Sequence, residues 1–215
     1  MGALTDLAQN KVTDALLRAQ AIGTPATWYV ALLKCSKGAR ANLTAYALND
    51  TIAVLANDSK YHLYKCTTAG TTAAAQSTLY PGVANEIITD GTAVFTEQNA
   101  ALDAGTAQVE PTTGGYARVA FTAGLAAWSG TQSAGSTTAS SGTGGQSSNN
   151  AAVTFPTITA DYQGASEKIW AWAIYDAATA GNCWFWVPLS TLQSVLVGQA
   201  PASCAAGALT ITIGN

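Results

Sequence analysis

Apolar positions change their spacing several times along the chain, and each change predicts a different element. Leu4, Leu7, Val12, Ala15, Leu16 and Ala19 recur at intervals of three and four, the spacing that lines one side of a helix. They predict an amphipathic helix over about residues 3–20. Gly23 and Pro25 stop it. Thr27-Trp28-Tyr29-Val30-Ala31-Leu32-Leu33 is a continuous apolar run rich in β-formers and predicts a buried strand. From Gly38 to Gln108 no helical pattern of useful length occurs. The pieces TIAVL, YHLYKC and TAVFTE alternate there with the turn signals Asn49-Asp50, Ala69-Gly70-Thr71-Thr72 and Asp90-Gly91. That texture predicts a small all-β module on its own loop, which a host tolerates because closure entropy grows slowly with loop length.

Beyond the module the alternation returns. Tyr116 to Thr122 has one wet and one dry face, and Ala152 to Phe155 is a short strand ended by Pro156. Lys168 to Tyr175 alternates large and small residues, and Cys183 to Val187 follows a Thr-Ala-Gly-Asn turn as the second arm of a hairpin. Ala208 to Ile213 closes the series with strict period two. One helix followed by roughly seven strands, with no helices between them, predicts a mainly β fold. We expect an antiparallel β-sandwich or jelly-roll body from residues 1–37 and 109–215, interrupted by a module at 38–108. Residues 129–150 are only Ser, Gly, Thr, Gln, Ala and Asn. With no apolar area to bury, this stretch is expected to be mobile in an isolated chain or laid across a neighbour in an assembly.

Composition changes the picture in one respect. Hydrophobic residues make up 48% of the 215 residues but charged ones only 10%, against about 25% in an average soluble domain. Such a surface is covered by small polar residues or by other subunits, so permanent assembly, including a homo-oligomer, is expected. The net charge of −3 and nine scattered Lys and Arg residues argue against nucleic acid as a partner. No stretch approaches the ~20 apolar residues of a membrane span. The opening MGALTDLAQNKVTDALL lacks the charged and apolar regions of a secretory signal, so synthesis in a host cytoplasm is expected.

Candidate chemistry is sparse. Most carboxylates sit beside turn residues, His62 stands alone between Tyr61 and Leu63, and neither a GxSxG nor a P-loop motif occurs. No catalytic residue, metal site or cofactor is expected. Cys35, Cys66, Cys183 and Cys204 form no CxxC pair. Two readings stay open: buried free thiols, or disulfides Cys35–Cys66 and Cys183–Cys204 formed in an oxidising exterior. Strand alternation puts Trp170 with Trp172, and Trp184 with Trp186, on one face of the hairpin, as a core or subunit-interface cluster rather than a sugar platform. In the module, Tyr61, Tyr64 and above all Tyr80 beside Pro81 are candidates for stacking on a glycan if they escape its core.

Several separated motifs carry a resemblance. LTDLAQNKVTDALLRAQAIGTPATWYVALL, GGYARVAFTAGLAAWSGTQSAGSTTASSGTGGQSSNNAAVTFPTITADY, AIYDAATAGNCWFWVPL and AGALTITIGN together resemble a short tailed-phage structural family labelled tail fibre protein. The resemblance covers residues 3–35 and 110–215 in order. About seventy residues stand where the short members have a brief polar loop. That insert is similar, through TAYALNDTIAV, YHLYKCTTAGTT and EIITDGTAVFTE, to a module of phage surface proteins related to small carbohydrate-binding domains. It departs from that pattern at Leu79-Tyr80-Pro81, where the common form has Trp-Pro, at Phe95 in place of a second Trp, and at Asn49 in place of Gly. The resemblance implies a virion protein, fibre, neck or baseplate in type, that contacts other virion proteins with the insert projecting outward. A capsid decoration protein and an adhesion module for host or environmental polysaccharide are the alternatives it leaves, with a depolymerase last.

Overall fold

The computed structural model describes residues 3–76, 80–141 and 145–212. In chain order, β1 (Ala3–Leu4) leads into α1 (Asp6–Arg18) and β2 (Thr27–Cys35). Then come β3 (Ala45–Tyr46), β4 (Thr51–Leu55), β5 (Tyr61–Thr68), β6 (Gly70–Thr71), β7 (Ile87–Asp90), β8 (Ala93–Glu97) and α2 (Asn99–Asp103). The remainder is β9 (Val119–Thr122), β10 (Gln146–Ser148), β11 (Val153–Thr154), β12 (Lys168–Tyr175), β13 (Cys183–Gln193), β14 (Ser203–Cys204) and β15 (Thr210–Thr212). All the strand ladders are antiparallel. The mainly β architecture with an N-terminal helix is as the sequence predicts. The predicted end of the last strand at Ile213 lies outside the described residues, as does Leu79.

A five-stranded sheet in the order β1-β13-β12-β2-β9 is the frame. Its central strand β12, Lys-Ile-Trp-Ala-Trp-Ala-Ile-Tyr, is buried at every position after the first. An antiparallel sheet commonly leaves one face in water; this one leaves neither. On one side Val30, Leu32, Ile169, Trp172 and Ile174 meet Phe155, Tyr162, Val195 and Leu209 from the C-terminal segments. The short ladders β10-β15 and β11-β14 belong to that side. On the other side Ala31, Leu33, Trp170, Ala173 and Trp186 meet Ala53, Leu63 and Leu102 from the residues between β2 and β9. Those residues form a second sheet, β4-β5-β8-β7, with a small β3-β6 ladder. Their own core is Tyr46, Ile52, Val54, Tyr64, Tyr80 and Phe95.

One expectation needs correction here. The stretch 38–108 does not stand off on its own loop. The chain leaves β2 alongside β4, where the amide of Ala53 donates to Gly38 O at 2.8 Å, and returns where Lys34 N donates to Val109 O at 2.7 Å. One face of its sheet is then spent covering the frame. The two ends of the low-complexity stretch are held by hydrogen bonding in place of apolar burial. Ser129, Ser148 and Asn149 are buried. Asn149 acts as a substitute backbone: its Oδ1 accepts from Leu209 N and its Nδ2 donates to Ala151 O and Ala205 O, each at 2.8 Å.

The four hairpin indoles do not share a face, because two bulges break the alternation. The β12–β2 register passes from Ile169↔Lys34 to Ala171↔Leu33 and leaves Trp170 as the extra residue. The β12–β13 register passes from Ile174↔Phe185 to Tyr175↔Cys183 and leaves out Trp184. Each bulge shifts the side-chain period by one. Trp170 and Trp186 therefore meet in the core beneath the second sheet, 5.9 Å apart, while Trp172 faces the opposite core. Trp184 packs edge-on against Trp28 at 5.2 Å and donates to Asp176. All four are buried within the chain, so they are core residues and offer no docking face.

α1 begins at Asp6, later than its periodicity predicts, because Ala3 and Leu4 pair with Trp186 and Phe185 at the sheet edge. Thr5 caps it, and the Thr5 hydroxyl donates to Cys183 O at 2.8 Å, tying the first turn to β13. Replacing Trp170, which is fully buried, by Ala is expected to cost about 3–5 kcal/mol. Urea unfolding followed by fluorescence checks this.

Candidate functional site at the seam between the two sheets

The seam between the frame and the second sheet holds the polar chemistry of the chain. α2 follows β8 directly, and its Leu102 is buried in the shared core. The next residue, Asp103, accepts the indole hydrogen of Trp186 at 2.8 Å. Burial, with Asp6 and Glu97 nearby, raises the Asp103 carboxyl above the usual range despite that bond. Beside it lies a cavity of about 190 Å³ reached by Asp58, Tyr61, His62, Asn99, Asp103 and Trp186. His62 is buried between two carboxylates, Nδ1 at 3.1 Å from Glu97 Oε1 and Nε2 at 3.1 Å from Asp58 Oδ2. Burial alone would lower its pKa, but the bonds to Glu97 and Asp58 outweigh it and raise the imidazole above its ordinary value.

A second cavity, of about 470 Å³, opens where the first turn of α1, the end of α2 and the β12–β13 hairpin meet. Arg118 lies in its wall with each of its three nitrogens engaged. Nε and Nη2 bond Glu110, Nη1 donates to the carbonyls of Ala177 and Ala180, and the guanidinium stacks 3.5 Å from the Tyr175 ring centre. Three further acids are engaged as well. Glu167 pairs with Lys34, Asp176 closes the hairpin through Asn182 and Trp184, and Asp161 accepts from Val197 N. Among the described residues, no group of three or more His, Cys, Asp or Glu is placed to hold a metal ion. No helix among them is long and apolar enough to cross a membrane.

The tyrosines proposed for sugar stacking are differently placed. Tyr80 and Tyr64 are buried and meet edge-to-face, ring centres 4.9 Å apart. The Tyr80 hydroxyl donates to Asp90 Oδ2 at 2.8 Å, and that of Tyr64 bonds Glu86. A module this small uses its large rings as core, so neither presents a face to a glycan. Tyr61 is partly buried against the seam. Phe95 is likewise core, and Asn49 takes the left-handed conformation (φ 71°) that its place in the turn requires. Asp90, read as a turn residue, is more than that: it accepts from Ala73 N at 2.9 Å and pairs with the buried Arg40 at 2.6 Å. Gly91 after it has φ +66° and sits where a Cβ would lie 2.2 Å from Thr71 O.

All four cysteines are free thiols. The two staples do not form because the members of each pair lie in different cores: Cys35 and Cys183 under the second sheet, Cys66 inside that sheet's own core, Cys204 against the opposite one. Burial pushes the Cys35 thiol up to about 11 and that of Cys183 up to about 12, so both stay protonated and unreactive at neutral pH.

The sequence did not show that Asp58, Glu97 and Trp186 meet at the seam. Asp58 lies four residues before His62 across a tight turn and was findable. Glu97 and Trp186 reach the seam only through strand register and bulges, which leave no local signal.

A family model described as podophage GP4 fiber I protein gp80 matches residues 92–212. The match spans more than half of the chain, and the chain belongs to that family of phage fibre proteins. It begins at the turn before β8, so β8 and α2 fall inside it while β2 and the strands β3 to β7 lie outside. No curated protein matches the chain.

Asp90 gives a pH prediction. Burial alone would raise its carboxyl, but Arg40, the Ala73 amide and the Tyr80 hydroxyl hold it below the usual carboxylate range. The stability it contributes is full above about pH 4 and is lost as pH falls through the depressed value. Asp90→Ala, which leaves the shielded Arg40 guanidinium without its carboxylate, is expected to cost about 3–5 kcal/mol. Asp90→Asn should flatten the acid limb of the stability curve, measured by urea midpoints at successive pH values.

Proposed function

We propose that this chain is a non-catalytic structural subunit of a tailed-phage particle, of fibre type, that docks on other virion proteins and on further copies of itself through α1. The observation that carries this is the state of that helix. It has thirteen residues, a length marginal in isolation, and only its first turn is anchored, through Thr5 and Ala8. Leu16 and Leu17 are 77% and 80% exposed, and exposed leucines on an under-packed helix fit a subunit contact. Family membership and a charged fraction of 10% support the same reading.

Within it, residues 1–37 and 109–215 act as the body and 38–108 as a module seated against that body, with its far side turned outward. The family description favours a fibre over a capsid decoration protein. Adhesion to polysaccharide is left with Tyr61 alone of the three tyrosines considered, and no observation favours it over the structural reading.

Sedimentation of the purified chain is expected to show an oligomer that dissociates to monomer in Leu16→Asp/Leu17→Asp with an unchanged circular dichroism spectrum. A folded wild-type monomer that also fails to enrich on purified particles would overturn the proposal.

A further inference from the structure

His62, the chain's one histidine, stands where three pieces of the second sheet converge on the frame. The β4–β5 turn brings Asp58, the end of β8 brings Glu97 and the start of α2 brings Asn99. α2 then passes straight into the seam through Leu102 and the Asp103–Trp186 bond. Whatever holds the ring in place therefore holds the segment that joins the second sheet to the frame.

The hydrogen bonds around the ring are not mutually consistent in one protonation state. His62 Nδ1 lies 3.1 Å from Glu97 Oε1, an acceptor, and 3.1 Å from Asn99 Nδ2, a donor. One nitrogen cannot donate to the first and accept from the second. At the same time Asn99 Oδ1 is buried with no hydrogen-bond partner. Turning the Asn99 amide by half a turn brings that oxygen to Nδ1–H, and the ring then donates at both nitrogens, to Asp58 on one side and to Glu97 and Asn99 on the other. That arrangement requires the imidazolium. In the unturned arrangement Nδ1 accepts from Asn99, and its lone pair faces the Glu97 carboxylate. Glu97 is itself buried, with Oε2 accepting only the backbone amides of Asn85 and Asn99, so the neutral ring leaves a buried anion without a cation.

We infer that His62 and Asn99 form a proton-controlled latch at the seam. It is closed when the imidazolium bridges Asp58 and Glu97, and it opens when that proton is lost and the Asn99 amide turns. The surroundings favour the closed form. The β4–β5 turn supplies Asp58 and Lys60, β8 supplies Glu97, and α2 supplies Asn99 and Asp103. The loop before β7 supplies Gly82, whose amide bonds Glu86. The frame contributes only uncharged Trp186 and Pro188 to the cavity. Carboxylates outnumber cations in this set. The sign follows: the latch's contribution is full below the ordinary imidazole pKa of about 6.5 and is lost as pH rises through the raised folded value.

The test uses the intact chain and needs no variant to begin. With a single histidine, nitrogen-detected NMR of the imidazole reports its tautomer and charge directly, and hydrogen exchange reports the protection of residues 99–104. The expected result is a doubly protonated ring at neutral pH that titrates above the ordinary value. Protection factors for 99–104 should fall about tenfold per unit over that same interval, the size of one proton released. In His62→Gln, which keeps polarity but cannot charge, that pH-linked loss of protection should vanish. A ring that is neutral at pH 7, or protection of 99–104 that ignores pH once intrinsic exchange is removed, overturns the inference, whether or not the variant folds.

Discussion

A ladder that meets water on neither face must be roofed twice, and the frame sheet of this protein is such a ladder. Its central strand carries two indoles, two isoleucines and a tyrosine with no polar alternation after Lys168, so neither side can be left to solvent without exposing large apolar area. The C-terminal segments roof one side and the residues between β2 and β9 roof the other. The two bulges are what make both sides tight. Without them Trp170 and Trp172 would crowd one face and leave the other without an indole from β12. With Trp170 and Trp172 turned opposite ways, each core receives a large ring on the same strand.

Charge is scarce, and the structure uses it sparingly and in buried places. Arg40 with Asp90 and Lys34 with Glu167 join segments far apart in sequence, and Arg118 with Glu110 ties the approach to β9. A pair that is shielded from water and surrounded by further donors specifies one arrangement of the chain and rejects others, because a shifted register would strand an ion. The hydroxyl and amide side chains of 129–150 do a similar task without charge. They satisfy backbone groups that would otherwise need a strand partner.

Much of the fold was legible from spacing alone. The strands at 27, 51, 61, 93, 168 and 183 announce themselves by apolar runs between turn residues, and their two-state periodicity is a local property. The helix was legible in kind but not in its start or its environment: Leu16, one of the residues that mark it as amphipathic, is left uncovered. What could not be read was whatever depends on one strand meeting another. A bulge has no signature in the residue that forms it, so the side assigned to Trp170 was a coin-toss on parity. The burial of Tyr64 and Tyr80 follows from the size of their module and was foreseeable in number, though not by name. The disulfides were suggested by separation along the chain, which says nothing about which core a thiol occupies.

The family match opening at β8 bears on how such a protein is recombined. The strand that starts the matched region is hydrogen-bonded on both sides to strands outside it, β5 and β7. Cutting at the loop ends near 38 and 108 would peel the lid from Ala31, Leu33 and Trp170 and leave a sticky plate. A graft that respects the protein's architecture must therefore exchange the outer strands while keeping the inner lining, much as a tile is replaced without lifting its backing.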